Sequence, residues 1–234
     1  MTAWLRFGSI RRALALARPR RVLEIGAGEG GLGAWLASRF DYAGVEPDRT
    51  SRAVATGRLL SLGRGEMLEA LAANEPHRYD AVCAFEVLEH IQDDGGAVRS
   101  WRERLEPRGH LLISVPAHPE RFGLSDRYVG HFRRYDRHGL RALLEAEGFE
   151  ILQWQSYGAG LGHAIDGLRN VFLRGRSEAS STAEGTALSG RLFQPQSRAR
   201  VWLNYLVALP FRVLQVPFAS TDIGIGYVVL ARLR

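Results

Sequence analysis

The stretch VLEIGAGEGGLG, residues 22–33, decides how this chain folds. A short apolar strand, residues 21–25, runs straight into glycines and then into a helical pattern at about 30–39. Gly26 and Gly28 can take positive φ without a steric cost, and neither places a Cβ between the backbone and a ligand. A strand–turn–helix of this kind brings backbone N–H groups close to a nucleotide. The glycines alone leave the ligand open, because Gly26, Gly28 and Gly31 also satisfy the G-x-G-x-x-G spacing of dinucleotide-binding turns. Glu24 narrows the choice. A carboxylate near the end of a buried strand is costly unless a cation or a hydrogen-bond donor satisfies it, and it would repel a pyrophosphate. Glu46, 20 residues beyond Gly26, ends the second strand, where a carboxylate can accept from two ribose hydroxyls.

Outward from this turn, short apolar runs alternate with helical patterns. Strands are expected at 21–25, 42–46, weakly near Leu59–Leu62, at 79–85, 110–115, 149–154 and 223–233. Helices are expected at about 30–39, 49–57, 66–73, 95–105 and 137–147. The alternation predicts an α/β, doubly wound, mostly parallel sheet with helices on both faces. Before it, Leu5, Ile10, Leu14 and Leu16 suggest an amphipathic helix over residues 1–20, stopped by Pro19. The first 21 residues carry no acid and could pass for a transit peptide, but they abut a core strand too closely for a removable segment. The chain reads as one domain, 1–234, with a substrate-side insertion at 156–220. That insertion includes a Ser-, Gly- and Thr-rich mobile loop at about 175–198.

Composition excludes several classes. At 234 residues and 46% hydrophobic content, the chain can bury a core of about one and a half typical domains. Its single cysteine, Cys83, rules out a disulfide scaffold and fits a buried strand position and a cytoplasmic setting. All 31 bases are arginine, against 25 acids, for a net +6. That balance is a weak basic signature, and no nucleic-acid recognition motif accompanies it. No run reaches the roughly 20 apolar residues of a membrane-spanning helix. The nearest, 201–218, is interrupted by Asn204, Pro210, Arg212 and Pro217. The histidines lack any H-x-x-x-H spacing, so no metal is expected.

Glu24, Gly26, Gly28 and Gly30 match every fixed position of E/D-x-G-x-G-x-G, and here the chain resembles the class I S-adenosylmethionine-dependent methyltransferases. The segment YDAVCAFEVLEH, residues 79–90, resembles the family's fourth strand and its exit. Residues 126–135, with Asp126, Gly130, His131, Arg133, Arg134 and Tyr135, resemble a bacterial subgroup with a D-x-x-x-G-H-x-R-R-Y segment. The resemblance implies S-adenosylmethionine as cofactor and an antiparallel last strand. It implies a cofactor site made of Glu24, Gly26, Ala27, Gly28, Gly30, Glu46 and Pro47, with Glu66 and Met67 at the adenine. Phe85, Glu86 and His90 would border the methionine end. Glu89 is expected to face solvent or to cap structure. Methyl transfer from a sulfonium needs an in-line nucleophile, and a base when that nucleophile is a hydroxyl. His131, then His118, are the candidate bases, with Tyr135 beside them; alternatively Asp126, Arg134 and Tyr135 form a structural lock.

The leading expectation is therefore a metal-independent methyltransferase acting on a small molecule, at oxygen. N/D-P-P-Y/F, Pro-Cys and Asp-Asn strings are all missing, which weakens DNA-base and catechol-type metal chemistry. The other readings are a nicotinamide-dependent oxidoreductase, an RNA-binding or RNA-modifying methyltransferase drawn to Arg11, Arg12, Arg18, Arg20 and Arg21, and a scaffold without catalysis. Trp202, Tyr205, Leu206, Leu209 and Phe211 are candidates for a lid, a dimer face or a membrane-surface contact.

Overall fold

The structure is a computed structural model that describes residues 2–71, 78–172, 210 and 214–234. Its strands are β1 (Arg21–Ile25), β2 (Asp41–Val45), β3 (Glu66–Leu68), β4 (Tyr79–Phe85), β5 (Leu105–Pro116), β6 (Phe149–Tyr157) and β7 (Gly226–Leu233). They form one sheet in the order β3-β2-β1-β4-β5-β7-β6. The first five run parallel, and β7 lies antiparallel between β5 and β6. Apart from Arg21 and Glu24 in β1 and Asp80 in β4, these two strands are apolar on both sides, because both faces of the sheet are covered. The strand order reverses between β1 and β4, and a crevice opens there at the carboxyl ends of the strands.

The helices are α1 (Thr2–Ala17), α2 (Gly31–Ala37), α3 (Arg49–Leu62), α4 (Asp94–Arg102), α5 (Leu124–Tyr128), α6 (Arg137–Ala146) and α7 (Leu161–Phe172). Leu5, Ile10 and Leu14 of α1 pack with Leu36, Leu59 and Val22 on one face of the sheet. Val98, Trp101, Leu140 and Leu144 pack on the other. Leu16 does not join them and is 57% exposed. Two residues along a helix turn about 200°, so Leu14 and Leu16 cannot share a face.

The expected strand at Leu59–Leu62 is a correction. This segment is the last turn of α3, where Leu59 is buried and Leu60 and Leu62 face solvent, a helical phase. Gly63, at φ 62°, ends the helix, and the third strand follows at Glu66–Leu68, where a helix was expected. α5 and α7 were not anticipated. The glycine cluster Gly158, Gly160 and Gly162 leads into α7, with Gly162 N–H donating to the Gly158 carbonyl. The expected mobile loop at 175–198, and Trp202, Tyr205, Leu206, Leu209 and Phe211, lie outside the described residues. Among the described residues no helix is long and apolar enough to cross a membrane.

Candidate active site

The glycine turn carries φ values of 68° at Gly26, 56° at Gly28 and 73° at Gly30. It is tied to the end of β2. The amides of Gly26 and Ala27 both donate to the Val45 carbonyl, at 2.9 and 3.0 Å. The Gly28 amide donates to Glu46 Oε2 at 2.7 Å, while the Asp48 amide donates to Oε1 at 2.9 Å. A Cβ at Gly26 would lie 2.6 Å from Val87, and one at Gly30 would lie 2.8 Å from Ala55. Glu46 is thus a buried carboxylate held rigidly at the crevice, with lone pairs to spare. Pro47 beside it is exposed, and its carbonyl accepts from Arg52.

Glu24 lies one strand away, 3% exposed, and accepts a 2.6 Å hydrogen bond from the Tyr42 hydroxyl. Burial pushes its carboxyl up to about 7, opposed by the Tyr42 hydrogen bond and the Arg6 charge and reinforced by Glu46. Arg6 is a functional candidate that the sequence did not reveal. It reaches from α1 to within 3.5 Å of Glu86 Oε1. The available signal was its place beside Leu5 and four residues before Ile10, on the face that α1 buries. Glu86 follows β4 directly at φ 57°, a left-handed conformation costly for a side chain with a Cβ. Its Oε1 accepts from Ser114 Oγ at 2.9 Å and from the Tyr157 hydroxyl at 3.0 Å. Phe85, expected at the cofactor, turns its side chain into the apolar layer under α1.

Beyond Glu86 a cavity of about 50 Å³ is lined by Asp126, His131, Arg134, Tyr157 and Asp166. His131 Nδ1 is 2.9 Å from Asp126 Oδ1, which also accepts from Arg134 Nε at 2.8 Å. Burial would raise the Asp126 carboxyl, but the hydrogen bonds from His131 and Arg134 outweigh it and hold the group near about 2. An ionised Asp126 can only accept, so Nδ1–H of His131 donates to it, and in the neutral imidazole the acceptor is then Nε2. That nitrogen lies 3.8 Å from Glu89 Oε1.

Glu89 corrects an expectation. It is fully buried rather than solvent-facing, and neither carboxylate oxygen has a hydrogen-bond partner among the described residues. Burial, then the Glu86 charge, pushes its carboxyl well up. His90 packs edge-on against His131, ring centres 4.6 Å apart, and burial lowers it to about 4, so it is a neutral imidazole. Donor atoms of Glu89, His90 and His131 all lie within 4.8 Å of one another, a group able to hold a cation. The linear spacing of histidines hid it, because His131 comes from a loop 41 residues further on.

Three further expectations change. His118 lies apart from the cavity lining: its Nε2 donates to the Gly224 carbonyl at 3.0 Å, and Nδ1 is 3.3 Å from Glu120. Tyr135 is buried and donates to Asp94 at 3.0 Å, which fastens the loop to α4. Glu66 and Met67 begin β3, so they sit away from its carboxyl end. Glu66 is exposed, and Met67 packs against the apolar layer that includes Leu59 of α3, beside Gly44. The acid beyond that carboxyl end is Glu69, paired with Arg52 at 3.0 Å.

A model of the methyltransferase domain matches residues 5–154, about two-thirds of the chain and all of the parallel sheet. The chain belongs to the methyltransferase domain family. It is a class I, S-adenosylmethionine-dependent member, and this removes the nicotinamide alternative. Among curated relatives, the ubiquinone biosynthesis O-methyltransferase of Nitrosospira multiformis is 37% identical over 117 residues, 47% of this chain and 48% of the relative. The enzyme of the same name from Xanthomonas euvesicatoria is 34% identical over 118 residues, 47% of this chain and 48% of the relative. The chain thus spans about half the length of the curated relatives it matches. Solved structures share the fold. N-methyltransferase NodS from Bradyrhizobium japonicum, in complex with S-adenosylhomocysteine, aligns with TM-score 0.54 and 18% identity over 65% of this chain and 78% of NodS. The [4+2]-cyclase SpnF aligns with TM-score 0.59 and 20% identity over 95% of this chain and 80% of SpnF. A cyclase on this fold shows why the reaction must be argued from the site.

Proposed function

We propose that this methyltransferase moves the methyl group of S-adenosylmethionine to a hydroxyl of a small polar molecule. The observation that carries the reading is the Asp126–His131 pair, which lines the same cavity as Glu86 and engages His131 through Nδ1. The ubiquinone-type O-methyltransferases among its relatives support oxygen as the acceptor. In this reading Glu46 takes the ribose hydroxyls, and the glycine turn lets the adenosine approach the backbone. Glu24 faces the cofactor's ammonium group, and Arg6 faces its carboxylate. That pairing accounts for a half-buried arginine reaching from α1 into a crevice rimmed by acids. Methyl transfer then requires the acceptor oxygen in line with the sulfonium, and His131 removes its proton.

A specific observation favours a second version. The two unbonded oxygens of Glu89, fully buried next to His90 and His131, are the donor set that a divalent cation would satisfy. Bound there, a cation would lower the pKa of an acceptor hydroxyl. Glu89, His90 and His131 would hold it, and Asp126 would orient the His131 ring from behind. Mn²⁺ titration followed by electron paramagnetic resonance separates the versions. Loss of free-ion signal at stoichiometric protein, abolished in Glu89→Gln, supports the cation. No binding up to millimolar Mn²⁺ leaves His131 as the base alone. O-methylation itself is tested by incubating the protein with methyl-labelled cofactor and catechols or other phenols. Label found solely on nitrogen or carbon acceptors would refute the reading.

A further inference from the structure

We propose that Tyr42 sets this chain's affinity for the charged, amino-acid end of its cofactor, by holding the Glu24 carboxylate from within the sheet. The inference rests on the reading of Glu24 as the partner of the cofactor's ammonium group. Tyr42 is 2% exposed on β2, and its hydroxyl lies 2.6 Å from Glu24 Oε2. Two glycines leave the room for that contact. A Cβ at Gly33 of α2 would lie 2.4 Å from the Tyr42 hydroxyl oxygen and 3.1 Å from Glu24 Oε2. A Cβ at Gly44, which pairs in register with Glu24, would lie 2.5 Å from the same oxygen. Neither glycine has positive φ, so the backbone does not require glycine at these positions. Both supply space around the Tyr42 phenol, and Gly44 also clears the Met67 sulfur, 2.7 Å from where its Cβ would lie.

The charged and titratable groups near Glu24 come from three directions. Tyr42 and Glu46 approach from β2, Arg6 from α1, and Cys83, its register partner, from β4. Tyr42 donates a hydrogen bond to the carboxylate. Burial and the Glu24 charge push its phenol well up, so it stays a donor throughout the working range. A donated hydrogen bond favours the ionised carboxylate, the form an ammonium group requires. Tyr42 is therefore a positioning residue: it touches Glu24 and acts on the cofactor through it.

The test is calorimetry on the full chain with two probes, S-adenosylhomocysteine and 5′-methylthioadenosine; the second lacks the amino-acid tail. In Tyr42→Phe, S-adenosylhomocysteine should bind about tenfold more weakly at pH 7.5, the loss expected for one charge-assisted hydrogen bond. Methylthioadenosine should bind within about twofold of wild type, a split that a merely structural role would not produce. The weakened affinity should recover as pH rises, with a midpoint above that of the wild type. Gly44→Ala, which sets a methyl group against the hydroxyl, should show the same split and serves if Tyr42→Phe does not fold. Equal weakening of both probes, or unchanged S-adenosylhomocysteine affinity, overturns the proposal. Glu24→Gln distinguishes the two failures. If it weakens S-adenosylhomocysteine while Tyr42→Phe does not, Tyr42 has no such role. If Glu24→Gln itself has no effect, the reading of Glu24 falls as well.

Discussion

Replacing Asp126 by Asn tests how the loop that carries His131 is held. The Asp126 carboxylate is 2% exposed and faces three donors: His131 Nδ1 and Arg134 Nε on Oδ1, and the Gly123 amide on Oδ2. An amide has one acceptor oxygen and one NH₂ group, so either orientation points a donor at a donor. Among the described residues, Arg134, itself 8% exposed, would keep Asp166 as its counter-charge, at 3.4 Å. Removing one partner of a buried ion pair costs about 3–5 kcal/mol. Because Asp166 offsets part of the loss, about 3 kcal/mol is expected. With a urea dependence of roughly 2 kcal/mol per molar, the unfolding midpoint should fall by about 1.5 M. Urea titration followed by circular dichroism measures this directly. The double variant Asp126→Asn with Arg134→Met should be less destabilised than the sum of the two single changes, with a coupling of at least about 2 kcal/mol. A midpoint within about 0.5 M of wild type, or strict additivity, would show that the pair does not fasten this loop.

Other outcomes follow from the same geometry. His131→Ala should leave S-adenosylhomocysteine affinity unchanged and lower turnover by about a hundredfold or more, whereas His118→Ala should keep nearly full turnover; equal effects would undo the assignment. Glu24 makes stability depend on pH. Its folded carboxyl sits near about 7, above the ordinary 4.5, so the folded state holds the proton longer. That contribution is complete below about pH 4.5 and is lost as pH rises through 7. It amounts to about 3 kcal/mol across that window, from a group only 3% exposed. Thermal melts from pH 5 to 8 should slope downward in wild type and flatten in Glu24→Gln. Tyr135→Phe, which loses the bond to Asp94, should cost about 1 kcal/mol and spare cofactor binding; calorimetry and urea titration together check it.

The sequence by itself determined the parallel half of this protein. β1 and β4 stand where their largely apolar runs put them. The turn between β1 and α2 could be read because glycines at positive φ, an acid before them and another one strand later are local signals. The failures were also local. The run Leu59–Leu62 reads as a strand because three leucines in four residues fit either period, and only their packing separates the two. Leu16 was counted on a helix face that geometry denies it. What tertiary structure alone decided is the chemistry at the crevice. Glu89, His90 and His131 share no linear spacing, and Arg6 meets Glu86 from 80 residues away. Tyr42 and Glu24 meet because β1 and β2 pair in parallel, and Gly33 and Gly44 leave space for the contact. Backbone preference is set by each residue and its near neighbours, so a chain displays it openly. Whether a buried carboxylate finds a proton, a phenol, an arginine or a cation depends on which strands and helices pack around it, and packing exists only in the folded molecule.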